Sequence, residues 1–289
     1  MKFSIIIINY FQKEYLDSCI ESIYKYFTSE SFEVIIINNS PEQNINYLPE
    51  KYVNLKIIEN SNKGFSEGNN KGVKYASGEY LFFLNADTLI CNDFLRSLTD
   101  EFEEGRAGII GLKLLNADMS LQLSCWFENT FLNEVSNKTL ERKFSNNAKE
   151  VHSKFEEVKD TKKVEWVTGA AIVMRREIFE KLNGFDEDYF LFYEDADICK
   201  RASKYAIPVY YFPKSEIIHL KGENVNNKFK SDTYYYSKES QLIYYKKHNS
   251  LLNRILLRSY LLLKFSFLNL VKNNDVDKRI LNLLLGTKR

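Results

Sequence analysis

Asp87 closes the run Asn85-Ala86-Asp87, directly after the apolar stretch Tyr80 to Leu84. A carboxylate at a strand end can hold a hard divalent cation, Mg²⁺ or Mn²⁺, and such cations also bind phosphate oxygens. A cation so placed stabilises the charge that develops on a diphosphate leaving group. The competing role is a cap for a helix starting near Asn92 or Asp93. A second acidic group, Tyr193-Glu194-Asp195-Ala196-Asp197, follows the loop Gly184-Phe185-Asp186-Glu187-Asp188-Tyr189-Phe190. Acids beside aromatics suit a sugar-facing cleft, where a carboxylate such as Asp195, with Glu194 beside it, removes a proton from an attacking hydroxyl. Acids at a helix start also complement the helix dipole and its free N–H groups, which accounts for one or two of them. His219 follows Ile217-Ile218 and can complete a metal shell with Asp87 or sit satisfied in a turn. The other two histidines are His152 and His248.

The segment from Asn62 to Gly72 holds three glycines and three asparagines at a strand–helix junction. Glycines let a ligand approach the backbone, and the helix N-terminus favours phosphate. The pattern is not GxGxxG and does not follow the first strand, which argues against a dinucleotide-dependent dehydrogenase.

These groups need a frame. Phe3 to Ile8, Phe32 to Ile37, Leu55 to Ile58 and Tyr80 to Leu84 are apolar runs without polar alternation. Tyr15, Cys19, Ile23 and Phe27 fall at helical spacing, and Ser66 to Ala76 reads as a helix stopped by Gly78. Apolar strands separated by helices imply an α/β fold whose mostly parallel sheet is covered on both faces. Ligands then bind at the carboxyl ends of the strands. Polar clusters stand at four such ends: Asn9-Tyr10, Asn38-Asn39-Ser40, Asn60 to Asn62, and Asn85 to Asp87. Each cluster alone also fits ordinary turn chemistry. Further on, Val164 to Met174 reads as one strand kinked at Gly169. Arg175 to Leu182 reads as a helix ended by Asn183-Gly184, and Asp195 to Tyr205 as another helix. Val209 to Phe212 and Glu216 to His219 read as two short strands.

The chain has 289 residues, is 44% hydrophobic and carries a net charge of +1. The near-neutral balance disfavours nucleic acid as a partner. Cys19, Cys91, Cys125 and Cys199 are scattered without a CxxC pair, which fits reduced thiols in a cytoplasmic protein. The apolar run Ile5 to Ile8 is too short for a signal peptide, and no stretch is long enough for a membrane span. Two regions are expected. Residues 1–228 form the α/β domain, with 127–163 as a variable, partly helical insertion, and 229–289 form a C-terminal helical extension. In the extension Arg254, Arg258, Lys264 and Lys272 interrupt a strongly apolar pattern. It suits a helix lying on the inner face of the membrane, or equally a helix packed against the domain or in a dimer.

In this order the segments resemble the family 2 glycosyltransferases of GT-A fold, in particular the bacterial rhamnosyltransferase-like group. The markers are Ser4 to Tyr10, Ile35 to Ser40, Asn62 to Asn70, Phe82 to Asp87, Gly111 to Leu115, Val167 to Arg176, Gly184 to Arg201 and Ile217 to His219, within Phe3 to Asn224. The resemblance implies an inverting transfer of a sugar, rhamnose or another hexose, from a dTDP- or UDP-sugar to a hydroxyl of a lipid-linked oligosaccharide. The setting would be bacterial surface polysaccharide synthesis, with Mg²⁺ or Mn²⁺ as cofactor. It assigns the donor to Asn9, Tyr10, Asn38, Asn39, Asn62, Gly64, Asn69, Asn70, Asn85 and Asp87. It assigns the metal to Asp87 and His219, the base to Asp195 beside Glu194, and the acceptor side to Trp166, Thr168, Gly169 and Ala170. The family usually has Asp where this chain has Asn38, and Asn offers a donor and an acceptor but no charge. That substitution admits a catalytically inactive nucleotide-sugar-binding homologue as the alternative. A sugar-phosphate nucleotidyltransferase would need a Gly-rich basic loop after the first strand, where Asn9-Tyr10-Phe11-Gln12 stands. A membrane-surface scaffold would rest on the C-terminal helices alone.

Overall fold

The computed structural model describes residues 1–105, 108–134, 136–137, 139, 160–220, 227–272 and 274–286. Most of the expected insertion, including His152, and the end of the resemblance at Asn224 lie outside the described residues.

The four apolar runs are strands: β1 (Phe3–Asn9), β2 (Phe32–Asn38), β3 (Leu55–Glu59) and β4 (Tyr80–Asn85). They lie parallel in the order β3-β2-β1-β4, and every residue of β1 is buried. Burial on both faces is why β1, β2 and β4 carry no polar alternation, whereas the edge strand β3 leaves Lys56 and Glu59 exposed. Helices α1 (Lys13–Tyr26), α2 (Leu48–Lys51) and α3 (Phe65–Val73) belong to this half. Helix α3 is shorter than expected, and Gly78 is not its stop. A Cβ there would come 2.6 Å from the Ser4 nitrogen, so glycine permits the approach to β1, and its N–H donates to the Ser4 hydroxyl at 2.8 Å. A three-residue strand, β5 (Thr88–Ile90), precedes α4 (Leu95–Glu103). The carboxylate before α4 is Asp93, which accepts from the Leu95 N–H and the N–H groups of Thr28 and Ser29. Asp87 therefore does no capping there.

The second half of the sheet is mixed. It holds β6 (Ile109–Leu115), β7 (Leu121–Gln122), β9 (Lys162–Val164), β11 (Ala171–Arg175) and β12 (Val209–His219), while β8 (Cys125–Trp126) and β10 (Trp166–Val167) pair separately. The stretch Val164 to Met174 is not one kinked strand. It is divided among β9, β10 and β11, each with different partners. The break falls where the Gly169 N–H leaves sheet pairing and donates to the Asp195 carboxylate at 2.8 Å. Strand β11 lies antiparallel between β4 and β6. The two short strands expected before His219 are one, β12, with an irregularity between Phe212 and Ile217. There the Ser215 hydroxyl accepts the Lys113 N–H at 2.8 Å, a main-chain donor the bulge leaves unpaired.

Helices α5 (Arg176–Lys181) and α6 (Glu194–Lys204) follow the expected pattern, with Asn183 and Gly184 at positive φ after α5. The extension is three helices, α7 (Asn227–His248), α8 (Leu251–Lys272) and α9 (Asp275–Leu285). Tyr189 and Ala196, beside the acidic cluster, share one buried core with Tyr244 and Tyr245 of α7, Leu257, Leu261 and Phe265 of α8, and Ile280 of α9. On the other side of α8, Leu252, Ile255, Leu256, Leu263, Phe267 and Leu270 are exposed. No helix among the described residues is long and apolar enough to cross a membrane. The four cysteines are free thiols.

Candidate active site

A cleft of about 1200 Å³ opens at the carboxyl ends of β1, β2 and β4. Strand order runs outward from β1 in both directions, the topology at which open α/β sheets bind ligands. Tyr10, Asn39, Asn62, Gly64, Asn85, Asp87, Trp166, Thr168, Gly169, Ala170, Glu194, Asp195 and His219 all line it. Asp87 and Asp195, 108 positions apart in sequence, are joined by a short main-chain path. The Asp195 carboxylate accepts from Gly169, and the neighbouring Ala170 carbonyl accepts from the Asn85 N–H at 2.9 Å.

Four asparagines expected to touch the donor do not line the cleft. Asn9 and Asn38 are buried register partners on β1 and β2, and the Asn9 amide donates to the Asn38 oxygen at 2.9 Å. Asn38 donates in turn to both oxygens of Glu59 at 3.1 Å. An aspartate at 38 would set two carboxylates against each other, whereas the amide makes hydrogen bonds. Asn69 is buried and bonds the Phe65 carbonyl one helical turn back. Asn70 is a clamp: its amide donates to the Phe185 carbonyl and Glu187, and its oxygen accepts the Phe185 N–H. In each case a protein partner consumes the amide that a ligand would have used; Asn39 does line the cleft, but it too is bonded, accepting from Asn60 at 2.8 Å and donating to Asn62 at 3.3 Å.

On the metal side, His219 Nε2 lies 3.4 Å from Asp87 Oδ1. The His219 Nδ1 is 2.7 Å from Gln122 Oε1, while the Gln122 amide nitrogen donates to Asn116 and to the His219 carbonyl. Both of those partners are acceptors, so the amide orientation is set and Oε1 faces the ring. Nδ1 therefore carries a proton, and Nε2 is left facing Asp87 and the Asn85 amide, 3.5 Å away. Among the described residues no three His, Cys, Asp or Glu side chains form a ready cage. The pair fits a cation held by two protein ligands and completed by phosphate oxygens and water. The lining is consistent with that fit: among the described residues no lysine or arginine faces the cleft.

The acid side is arranged differently. Burial pushes the Asp195 carboxyl up from its ordinary 3.8 to about 6, against the pull of the Gly169 and Ala196 N–H groups. Burial, and then the Asp195 charge, raise Glu194 well above the carboxylate range. The two groups titrate as a pair, with Glu194 keeping its proton longer and Asp195, held by main-chain donors, ionising first. Glu194 Oε2 is buried without a hydrogen-bond partner among the described residues. Just before them Phe192 and Tyr193 have φ of +69° and +67°. Two successive aromatic residues in the left-handed region are strained, at about 1–2 kcal/mol each. The Tyr193 hydroxyl bonds Glu134, which also receives Gln241 and Tyr245 of α7. Below them Asp197, buried, pairs with Arg201 at 2.6 Å and with His248 Nε2 at 2.6 Å.

Gly64 links the two sides. It has φ of +106°, and a Cβ there would lie 2.5 Å from the Phe190 carbonyl, which accepts the Phe65 N–H at 2.7 Å. Phe190 stacks on Tyr236 of α7 at 4.3 Å. Sequence reasoning missed Gln122, Trp126 and the contribution of α7, from which Asp232, Thr233, Tyr236 and Ser237 line the cleft. Gln122 sits in no motif. Trp126 carried one signal, being the only tryptophan besides Trp166.

The family model described as glycosyl transferase family 2 matches residues 4–182. A second, described as the N-terminal domain of galactosyltransferase, matches residues 149–223. Rhamnosyltransferase WbbL of Escherichia coli is 25% identical over 86% of this chain and 95% of its own length. An N-acetylglucosaminyl-diphospho-decaprenol L-rhamnosyltransferase of Mycobacterium tuberculosis is 36% identical over 21% of this chain and 20% of its own. Among solved structures, S. aureus TarS 1–349 in complex with UDP superposes with a TM-score of 0.55 at 18% identity, covering 100% of this chain and 76% of that one. GalNAc-T7 with UDP, GalNAc and Mn²⁺ gives 0.56 at 15% identity, over 85% of this chain and 50% of that one. These two likenesses show the GT-A fold. With more than half its length matched by the family model, the chain belongs to glycosyl transferase family 2.

Proposed function

We propose that this glycosyltransferase moves a hexosyl group, rhamnose in the first instance, from a dTDP- or UDP-sugar to a hydroxyl of a glycan acceptor, with inversion at the anomeric carbon. The observation that carries the reading is the facing of two unlike acid sites across one cleft: Asp87 with His219, and Asp195 with Glu194. Donor groups fall to Tyr10, Asn39, Asn62, Gly64 and Asn85, acceptor groups to Trp166, Thr168, Gly169 and Ala170. Asn9, Asn38, Asn69 and Asn70 act behind the wall, holding strand ends and loops.

In this reading Asp195 is the base. Its anion is kept available near neutral pH by the Gly169 and Ala196 N–H groups, and its raised basicity matches proton abstraction from a hydroxyl. Asp87 and His219 would hold Mg²⁺ or Mn²⁺, which supplies charge neutralisation to the departing diphosphate. Gln122 fixes the histidine tautomer. The strained Phe192-Tyr193 turn aims the acids inward. The UDP and Mn²⁺ of the GalNAc-T7 structure and the UDP of the TarS structure support donor and cation by likeness of fold. The name of the mycobacterial relative, with its decaprenol, supports a lipid-linked acceptor, and both names support rhamnose. The exposed apolar face of α8, with exposed Arg254 and Arg258 on the same helix, supports attachment to the inner face of an anionic membrane. Co-sedimentation with anionic vesicles tests that attachment, and protein left wholly in the supernatant removes it.

The decisive experiment is a thermal-shift and donor-hydrolysis screen of nucleotide diphosphates and nucleotide sugars, with and without Mn²⁺. A ligand that binds the native state raises its stability. Cation-dependent stabilisation with slow donor hydrolysis is expected. Stabilisation without any hydrolysis or transfer would instead favour the inactive nucleotide-sugar-binding homologue.

A further inference from the structure

The chain's two tryptophans meet in the cleft. Trp126 and Trp166 are register partners of the β8–β10 ribbon, which stands apart from the main sheet. Residues directly opposite in an antiparallel pair share a face. Here the rings lie 5.8 Å apart, 16° from parallel. The Trp166 indole N–H donates to the Phe127 carbonyl at 2.8 Å, which fixes that ring. Both residues are only half-buried. A large ring gains by full burial, so a pair left open at a cleft is placed for contact with something else.

The position relative to the base is bounded by the chain. Trp166 is three residues from Gly169, at most about 10 Å when fully extended. The Gly169 N–H is itself bonded to Asp195, and α6, which carries the acids, packs on β10. A ligand ring resting on the indoles is thus held close to the carboxylate that would activate its hydroxyl. The second observation is independent of the rings. Glu194 is 5% exposed and lines the same cleft, and its Oε2 has no partner among the described residues. A buried polar oxygen left unpaired is costly, and a ligand hydroxyl placed there removes the cost. The third observation is charge. No lysine or arginine lines the cleft among the described residues, whereas Asp87, Asp232, Glu194 and Asp195 do. An acceptor phosphate placed beside Glu194 and Asp195 would meet carboxylates.

We propose that Trp126 and Trp166 form the acceptor subsite, receiving the apolar CH face of a neutral pyranose on the indoles while Glu194 Oε2 takes one of its hydroxyls. The acceptor end is then a neutral ring sugar, not an open-chain polyol phosphate, which has neither the flat face nor the neutrality. This rests on the glycosyltransferase reading and adds the residues and chemical class of its acceptor. The raised basicity of Glu194 is consistent with it, since a protonated carboxyl can donate to a sugar oxygen as well as accept.

The test uses the full chain with its preferred donor and Mn²⁺. Because only two tryptophans exist, fluescence under selective tryptophan excitation reports this platform directly. Methyl glycosides of glucose, N-acetylglucosamine and rhamnose, and their oligosaccharides, are titrated beside a poly(ribitol phosphate) chain. The expected result is a saturable response to at least one pyranoside and none to the polyol phosphate. Trp126→Ala should raise the KM of the responding acceptor by tenfold or more, with the donor KM moving less than twofold. Trp126→Phe, which keeps an aromatic face and guards against misfolding, should raise it less. A response to poly(ribitol phosphate) alone, no response to any pyranoside, or an acceptor KM unmoved in both folded variants overturns the subsite. In those cases donor hydrolysis by the wild type still stands for the parent reading. A wild type that neither hydrolyses nor transfers from any nucleotide sugar brings down both.

Discussion

In an Asp195→Asn variant the side chain keeps its shape but can no longer take a proton. Removal of a general base typically costs about 10²–10⁴-fold in rate. Stability should move the opposite way. The wild-type carboxyl rises from 3.8 to about 6 on folding, so the folded state resists its ionisation. At about 1.4 kcal/mol per pH unit this amounts to about 3 kcal/mol. The sign follows from the direction: a raised carboxyl binds its proton more tightly when folded. The wild type therefore carries no penalty below pH 3.8, acquires it between 3.8 and about 6, and keeps it above. Asparagine escapes the penalty, but its single oxygen satisfies only one of the Gly169 and Ala196 N–H groups. Losing the other costs about 1 kcal/mol. The net gain at about pH 8 is about 2 kcal/mol, a Tm increase of about 4–8 °C. Near pH 4 the variant should be no more stable than the wild type. The assay is a melting curve across this pH range alongside transfer rates at saturating donor. Turnover within tenfold of wild type would refute the base assignment. A Tm difference that does not change with pH would refute the raised carboxyl.

Asp87→Ala should abolish the Mn²⁺-dependent part of the thermal stabilisation by nucleoside diphosphate while leaving the cation-independent part. Equal donor titrations with and without Mn²⁺ in both proteins would exclude Asp87 as a ligand. Gly64→Ala should destabilise by about 1–3 kcal/mol in urea unfolding, because the residue is at φ +106° and the added Cβ meets the Phe190 carbonyl at 2.5 Å. A neutral result would mean that the two loops do not touch. Glu33 gives the opposite pH signature to Asp195. Burial works against its charge, but hydrogen bonds from Ser77, Ser4 and Lys56 bring it down from 4.5 to about 2. Its lowered value stabilises the fold by about 3 kcal/mol above pH 4.5, lost as pH falls toward 2. Glu33→Gln should therefore be less stable than wild type near neutral pH and converge with it near pH 2, as acid-unfolding curves would register.

Elements whose signal is local were legible before any contact was known. Ile5 to Ile8 and Ile35 to Ile37 read as strands buried on both faces, and a parallel arrangement then sent Asp87 to a ligand-binding edge. The acids at 194 and 195 were legible because composition at a helix start is a local property. What tertiary structure alone decided was which polar group faces a ligand. Asn38 and Asn39 are adjacent and alike in composition, yet the first turns inward to Glu59 and the second lines the cleft. That choice depends on pleat parity and on a partner 21 positions away, neither of which a run of asparagines encodes. Asn70 is taken up by Phe185, and His219 is oriented by Gln122, through contacts 115 and 97 positions apart. The tail was ambiguous for the same reason. An apolar helix carries no record of which face will meet protein, and only packing assigned Tyr244, Tyr245 and Leu257 to the core while leaving Leu263 and Leu270 outside. Hydrophobic pattern fixes what must be hidden, whereas the partner that hides it, or that satisfies a buried amide, is chosen by the folded chain as a whole.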